Sequence, residues 1–339
     1  MATLSFKDFK SDQEVRWCPG CGDHAVLAAL QRALPVAAEA HGYGKERYVV
    51  VSGIGCSSRL PYYMETYGFH SIHGRATAIS TGIKVANPYL RVWQACGDGD
   101  ALAIGGNHFI HAIRRNIDIN ILLFNNQIYG LTKGQYSPTS KFGAITKTSP
   151  YGTVEHPFNP GSLVLGAKGT FFARSLDVEL ALNQEIMTAA VDHDGTSVME
   201  MLTNCVIFND GAHRDISDPE WRADRTIVLR HGEKMVFGKN RDKGLVLDGM
   251  GLKVVTIGQD GYTMDDILVH DAHCQNPGVQ MMLADMKYPE FPVALGVIRD
   301  VRDVTYDDGV TDQVAEVTAK SRIHCMDDLL RSGSTWEVK

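Results

Sequence analysis

Two polar turns, each closing an apolar run and set 25 residues apart, restrict this chain more than any other feature. VWQACGDGD (92–100) ends strand-forming residues on Gly97-Asp98-Gly99-Asp100, and INILLFNN (119–126) ends a similar run on Asn125-Asn126. Both runs are short, apolar and bounded by turn residues, the pattern of strands buried on both faces. YVVVSG (48–53) is a third run of this kind. Helical stretches lie around them: 22–40, which Pro35 is expected to break or kink, and 101–115, expected to run through Gly105-Gly106. Strands alternating with helices predict an α/β fold, a mostly parallel sheet with helices on both faces. Ligands of such sheets gather at the carboxyl ends of the strands.

The residue types at those two turns suit one chemistry. Glycine lets a diphosphate approach the backbone closely, and the N–H groups opening a following helix meet its charge. Magnesium takes octahedral oxygen ligands, commonly a carboxylate, neutral oxygens and the phosphates themselves. Asp98 offers the carboxylate, Asn126 an amide oxygen and Ile128 its backbone carbonyl. Gly-Asp-Gly alone is a common tight turn. With Asn-Asn at this spacing, each after an apolar strand, the pair is the fingerprint of a magnesium–thiamine diphosphate site. The competing dinucleotide pattern G-x-G-x-x-G is not matched there.

From Thr132 to Ser162 the chain is poor in apolar residues and rich in Gly, Ser, Thr, Pro and Lys, and a loop of that length in a compact domain is usually functional or partner-bound. Residues 170–203 return to strand–helix–strand. Beyond 210, short segments (TIVLRH, KMVFG, KVVTIG) between charged, Gly-containing turns predict β-hairpins rather than more of the wound sheet. The expected division is therefore a cofactor-binding domain over 1–209 and a C-terminal extension over 210–339. A net charge of −7 leaves no basic stripe for nucleic acid. No apolar run reaches the length of about 18 residues that would suggest a membrane span. The opening MATLSFKDFKSDQEVRW lacks the apolar core of a secretory signal, so the expected compartment is the cytoplasm.

An odd count of seven cysteines in such a chain favours metal or redox chemistry over a disulfide framework. Cys18-Pro-Gly-Cys21 reads as a zinc knuckle, a redox pair or half of an iron–sulfur site. A second C-x-x-C, usual in zinc ribbons, is missing, and the segment before Cys18 is polar rather than a strand. Cys56 and Cys205 each follow an apparent parallel strand, on the edge that carries the diphosphate turns. Four thiolates suit a [4Fe–4S] cluster. Cys96, Cys274 and Cys325 are expected to be buried and inert.

With those residues assembled, the chain resembles the β subunits of 2-oxoacid:ferredoxin oxidoreductases, most closely those acting on 2-oxoglutarate. The resemblance rests on WCPGCGDH (17–24), SGIGCSSR (52–59), HGRATAISTGIKVANP (73–88), GDGDALAIGGNHF (97–109), FNNQIYGLTKGQYSPTS (124–140) and TNCVIFND (203–210). It implies the diphosphate-binding module of a thiamine-diphosphate fold. The aminopyrimidine-binding half, with the glutamate that activates the cofactor, is then expected on a separate α subunit, in a heterodimer or a dimer of heterodimers. The implied reaction is coenzyme A-dependent oxidative decarboxylation of a 2-oxoacid, with ferredoxin as electron acceptor. Cys18, Cys21, Cys56 and Cys205 would bind the cluster, and Asp98, Asn126 and Ile128 the magnesium. Cys56, Ser57, His73, Gly74, Arg75, Gly97, Gly99, Asp100, Gly130 and Leu131 would line the cofactor. His73 and Arg59 would meet the substrate, since arginine binds a distal carboxylate bidentately, and Lys133 the phosphates of coenzyme A. Two alternatives stay open: the same chemistry on pyruvate or another 2-oxoacid, and a non-redox thiamine-dependent carboligase or decarboxylase subunit with zinc at the cysteines.

Overall fold

The computed structural model describes residues 4–338. The first half runs α1 (Asp23–His41), β1 (Tyr48–Ser52), α2 (Leu60–Tyr63), β2 (Tyr67–His70), α3 (Ala76–Ala86), β3 (Arg91–Gly97), α4 (Asp98–Leu102), α5 (Gly106–Arg115) and β4 (Ile119–Asn125). After the long loop come α6 (Pro160–Gly166), β5 (Phe171–Leu176), α7 (Leu180–Asp192) and β6 (Ser197–Leu202). The extension holds α8 (Arg214–Ser217), α9 (Arg222–Arg225), β7 (Thr226–Leu229), β8 (Val236–Phe237), β9 (Lys243–Asp248), β10 (Gly251–Thr256), α10 (Gly278–Asp285), β11 (Val293–Asp300), α11 (Tyr306–Lys320) and α12 (Met326–Leu330).

Eight strands form one sheet in the order β2-β1-β3-β4-β6-β5-β11-β7. Its neighbours are parallel except β11, which runs antiparallel to β5. Successive residues of the central strands serve opposite faces. Val50, Trp93, Ala95, Leu122 and Met199 pack toward α1 and α7. Val49, Val51, Val92, Ile121, Leu123 and Val198 pack toward α5, α6 and α10. This two-sided burial is why the strands read as unbroken apolar runs.

Three expectations need correction. Pro35 neither breaks nor ends α1, which continues from Asp23 to His41. A helix-interior proline costs about 3 kcal/mol, but Val26, Leu30, Leu34 and Ala38 bury both halves of the helix in the same core, and that burial offsets it. The stretch 101–115 is not one helix: α4 ends at Leu102 and α5 starts at Gly106. The two glycines are poor helix formers, and position 105 has no room for a side chain, since a Cβ there would lie 2.4 Å from the carbonyl oxygen of Asp100 and 3.0 Å from the Cα of Gly74. Beyond 210, the antiparallel hairpin character holds for β8, β9 and β10, which form a separate three-stranded sheet, whereas β7 and β11 extend the main sheet. Among the described residues no helix is long and apolar enough to cross a membrane.

The topology selects one position on this sheet for a ligand. From β1 the chain moves outward to β2, then returns to place β3 on the other side of β1 and continues away through β4. The loops leaving β1 and β3 therefore diverge, opening a crevice at their carboxyl ends.

Candidate active site

That crevice is a cleft lined by Ile54–Ser57 after β1, His73 after β2, Gly97–Asp100 after β3 and Asn126 with Ile128–Thr132 after β4. Asp98 and Asp100, at the start of α4, are both buried. Asp100 braces the walls: its Oδ1 accepts the Gly74 N–H at 2.8 Å and the Ile54 N–H at 3.2 Å. Asp98 Oδ2 accepts from the hydroxyls of Ser137 (2.6 Å) and Thr139. Burial raises the Asp98 carboxyl to about 6, against the opposing pull of those two hydroxyls.

The floor is closed by Tyr129, whose hydroxyl donates to the Gly99 carbonyl at 2.8 Å. Gly99 has no room for a side chain, since a Cβ there would stand 2.3 Å from the Tyr129 ring. Gly99→Ala is expected to destabilise the fold by about 1–3 kcal/mol through overpacking. Gly82→Ala, in α3 with nothing within 4 Å of the new Cβ, is expected to be neutral or stabilising. Urea denaturation of both variants checks the pair. At the next turn, Gln127 takes a left-handed φ of 57°, which folds Asn126 and Ile128 onto the cleft while Gln127 itself lines a different cavity. Ser57 Oγ and Asp100 Oδ2 are buried with no hydrogen-bond partner. Orphaned polar atoms beside side-chain-free glycine walls fit a charged, hydrogen-bonding group such as a diphosphate with its cation.

A second cavity, of about 230 Å³, adjoins the cleft. Cys18, Cys21, Cys56 and Cys205 all line it, together with Arg59 and the apolar side chains of Trp17, Ile207 and Phe208. Trp17 Nε1 donates to the Cys56 carbonyl at 2.7 Å, tying the N-terminal segment to the loop after β1. Gly22 N–H donates to the Asn204 carbonyl, tying the same segment to the loop after β6. Burial and the neighbouring Asp23 raise the Cys21 thiol well above its ordinary range, and the same two causes push Cys56 up to about 12. Neither thiol would ionise at neutral pH without a bound cation. Among the described residues no three His, Cys, Asp or Glu side chains converge as ligands of a single metal ion. A four-iron cluster instead spreads its thiolates around a cube.

The cleft and the cysteine cavity share Cys56, Asn126, Gly130 and Leu131. A Cβ on Gly130 would stand 3.4 Å from Cys205 Sγ and 3.5 Å from Cys56 Sγ. A side chain at 130 would therefore point at the two sulfurs, on the cysteine side of the shared wall. The structure does not bring every expected residue to the cleft. Gly74 and Arg75 lie behind it, with Arg75 turned to the carbonyls of His73 and Ile104, while Arg59 borders the cysteine cavity. Lys133 is exposed just past the lining residues. Cys96 is buried as expected, but Cys274 and Cys325 are exposed. Sequence reasoning missed Tyr129, Ser137, Thr139 and Trp17 as parts of these sites; the density of hydroxyls in SPTS (137–140) was the available signal.

The fold and cleft define a class of protein, the enzymes that bind thiamine diphosphate: residues 53–201 match the family profile described as thiamine pyrophosphate enzyme, C-terminal TPP binding domain. The 2-oxoglutarate oxidoreductase subunit KorB of Mycobacterium tuberculosis is 49% identical over 335 residues, 98% of this chain and 88% of that protein. Subunit beta of 2-oxoacid:ferredoxin oxidoreductase 1 from Aeropyrum pernix is 43% identical over 68% of this chain and 69% of its own length. A solved structure of 2-oxoglutarate:ferredoxin oxidoreductase from Magnetococcus marinus superposes with a TM-score of 0.78 at 29% identity, over 99% of this chain and 98% of that one. The chain belongs to the β-subunit family of the 2-oxoacid:ferredoxin oxidoreductases.

Proposed function

We propose that this chain is the β subunit of a 2-oxoglutarate:ferredoxin oxidoreductase, which converts 2-oxoglutarate and coenzyme A to succinyl-CoA and CO₂ and passes electrons through a [4Fe–4S] cluster to ferredoxin. The observation that carries the reading is the adjacency of two compartments sharing Cys56, Asn126, Gly130 and Leu131. One has the residue types for a magnesium-bound diphosphate and the other four thiols in one cavity. The Magnetococcus marinus structure is described with 2-oxoglutarate, coenzyme A and succinyl-CoA bound, which supports the substrate.

Bound thiamine diphosphate would supply the electron sink that makes decarboxylation of a 2-oxoacid feasible. Asp98, Asn126 and the Ile128 carbonyl would hold its magnesium, the Ser57 hydroxyl would donate to a phosphate, and Gly97 and Gly99 would admit the diphosphate to the backbone. Cys18, Cys21, Cys56 and Cys205 would hold the cluster, screened by Trp17 and Phe208. His73, exposed at the cleft rim, would donate to substrate, and Lys133 would reach coenzyme A phosphates. A partner α subunit would complete the cofactor site. The extension from residue 210 suits that interface, for Val314, Val317, Leu330 and Trp336 of its last stretch face solvent.

The test is anaerobic co-purification with the α subunit, followed by iron and zinc analysis and viologen reduction with a panel of 2-oxoacids. Brown protein that prefers 2-oxoglutarate is expected. Colourless protein with zinc would favour the non-redox alternative, and preference for pyruvate the other. Substrate choice is assigned to Arg59, whose loss removes one charge-assisted contact. Arg59→Ala is expected to raise the KM for 2-oxoglutarate roughly 10- to 100-fold and leave that for pyruvate unchanged. An unchanged 2-oxoglutarate KM would sink that assignment.

A further inference from the structure

The segment between β4 and α6 forms no helix or strand of its own, yet one turn of it is buried against the cleft. Ser137, Thr139 and Ser140 are 2%, 3% and 5% exposed, whereas Lys141, Phe142, Gly143, Ile145 and Lys147 just beyond them are exposed. The turn closes through Ser140 N–H on the Ser137 carbonyl at 3.0 Å. Besides bonding among themselves, its hydroxyls reach Asp98, the last residue of β4 and the turn that follows it. Ser137 and Thr139 both donate to Asp98 Oδ2. Ser140 Oγ donates to the Gln127 carbonyl at 2.6 Å and accepts the Ser137 N–H at 2.8 Å. Thr139 Oγ1 also lies 3.0 Å from Asn125 Oδ1. Hydroxyls are costly to bury unless paired. Here three of them in four residues are paired, two with Asp98 of the Gly-Asp-Gly turn and one with Gln127, just past the Asn-Asn turn.

We propose that Ser137-Pro138-Thr139-Ser140 is a latch that positions the Asp98 carboxylate for magnesium. It holds Oδ2 from the side and leaves Oδ1, which has no side-chain partner, as the oxygen offered to the cation. It also pins the carbonyl of Gln127, between the two other proposed magnesium contacts at Asn126 and Ile128. The proposal rests on Asp98 being a magnesium ligand. Coupling of this kind is reciprocal: whatever the ordered latch adds to cation binding, cation binding adds to the order of the latch and the loop it anchors. The latch also borders a cavity of about 310 Å³, whose lining includes Thr139, Lys141 and Gln127.

The experiment uses the αβ complex stripped of metal, with Ser137→Ala/Thr139→Val, Thr139→Val alone and Thr139→Ser beside wild type. Magnesium is titrated at saturating thiamine diphosphate by calorimetry. Trypsin cleavage after Lys141 and Lys147 is timed with and without the ion. Partners that orient a metal ligand are worth roughly 10- to 100-fold in metal affinity, so the double variant should weaken magnesium by at least about tenfold. Thr139→Ser should stay within about twofold, because it keeps the hydroxyl. Magnesium should slow trypsin in wild type and in Thr139→Ser but not in the double variant. If the double variant does not assemble, Thr139→Val carries the same expectation at smaller size. A double variant with wild-type magnesium affinity and wild-type protection overturns the latch. Wild type that binds thiamine diphosphate without any magnesium dependence overturns the magnesium site, and the latch with it.

Discussion

Asp98→Asn is expected to abolish 2-oxoglutarate-dependent viologen reduction by the reconstituted αβ enzyme while leaving the fold intact. Asparagine has the shape of aspartate and keeps an oxygen to accept from Ser137 and Thr139, so the turn it anchors loses little packing. What disappears is the charge. Magnesium sites commonly rest on one or two carboxylates, and among the residues assigned here as magnesium contacts Asp98 is the single anionic one. Groups that merely orient a metal ligand contribute about 10- to 100-fold in metal affinity, and losing the only carboxylate should exceed that range. Calorimetry should therefore show thiamine diphosphate affinity weakened by at least about two orders of magnitude, with a thermal melting midpoint within a few degrees of wild type. Wild-type thiamine diphosphate binding in this variant would remove Asp98 from the magnesium site.

How much of this was legible in the sequence depends on what each element is buried against. β1, β3 and β4 are covered on both faces, so their sequences are continuous apolar runs and could be read directly. β7 and β11 are equally short and apolar, but membership of the main sheet is decided by pairing with residues far away in sequence, which no local pattern encodes. The helix through Pro35 is a case of tertiary burial outweighing local propensity, whereas the break at Gly105-Gly106 follows the low helix propensity of the glycine pair. At the site, the proposed magnesium ligands were readable because the ion demands particular oxygen types at strand ends. Cys18 and Cys205 could be brought to one cavity only by the fold: the Gly22–Asn204 backbone bond joins segments that nothing in either sequence pairs. Ser137 and Thr139 were hidden by their surroundings, because a serine-rich turn in a long polar loop looks like solvent-exposed chain until the carboxylate it serves is located.

Cys205→Ala tests whether the two compartments can be taken apart. Cys205 lines the cysteine cavity but not the diphosphate cleft, whereas Cys56 lines both. Without one thiolate a four-iron cluster lacks a ligand, so anaerobically purified Cys205→Ala complex should lose visible absorbance and iron, and viologen reduction should fall to background. Magnesium-dependent thiamine diphosphate binding should persist within a few-fold: the loop of Cys205 braces the Asn126 turn through Asn209 Nδ2 on the Asn126 carbonyl and the Asn209 N–H on the Cys205 carbonyl, and neither bond uses the thiol that the substitution removes. Cys56→Ala should behave differently, weakening cofactor binding as well as removing the cluster, since its loop also carries the orphaned Ser57 hydroxyl into the cleft. The comparison matters more than either variant alone. If the cysteines held zinc in a non-redox enzyme, Cys205→Ala would lose zinc and no colour. If they were inert thiols, it would lose neither metal nor activity. Loss of electron transfer with retention of the cofactor is the outcome expected of a cluster next to the cleft, across the shared wall of Cys56, Asn126, Gly130 and Leu131.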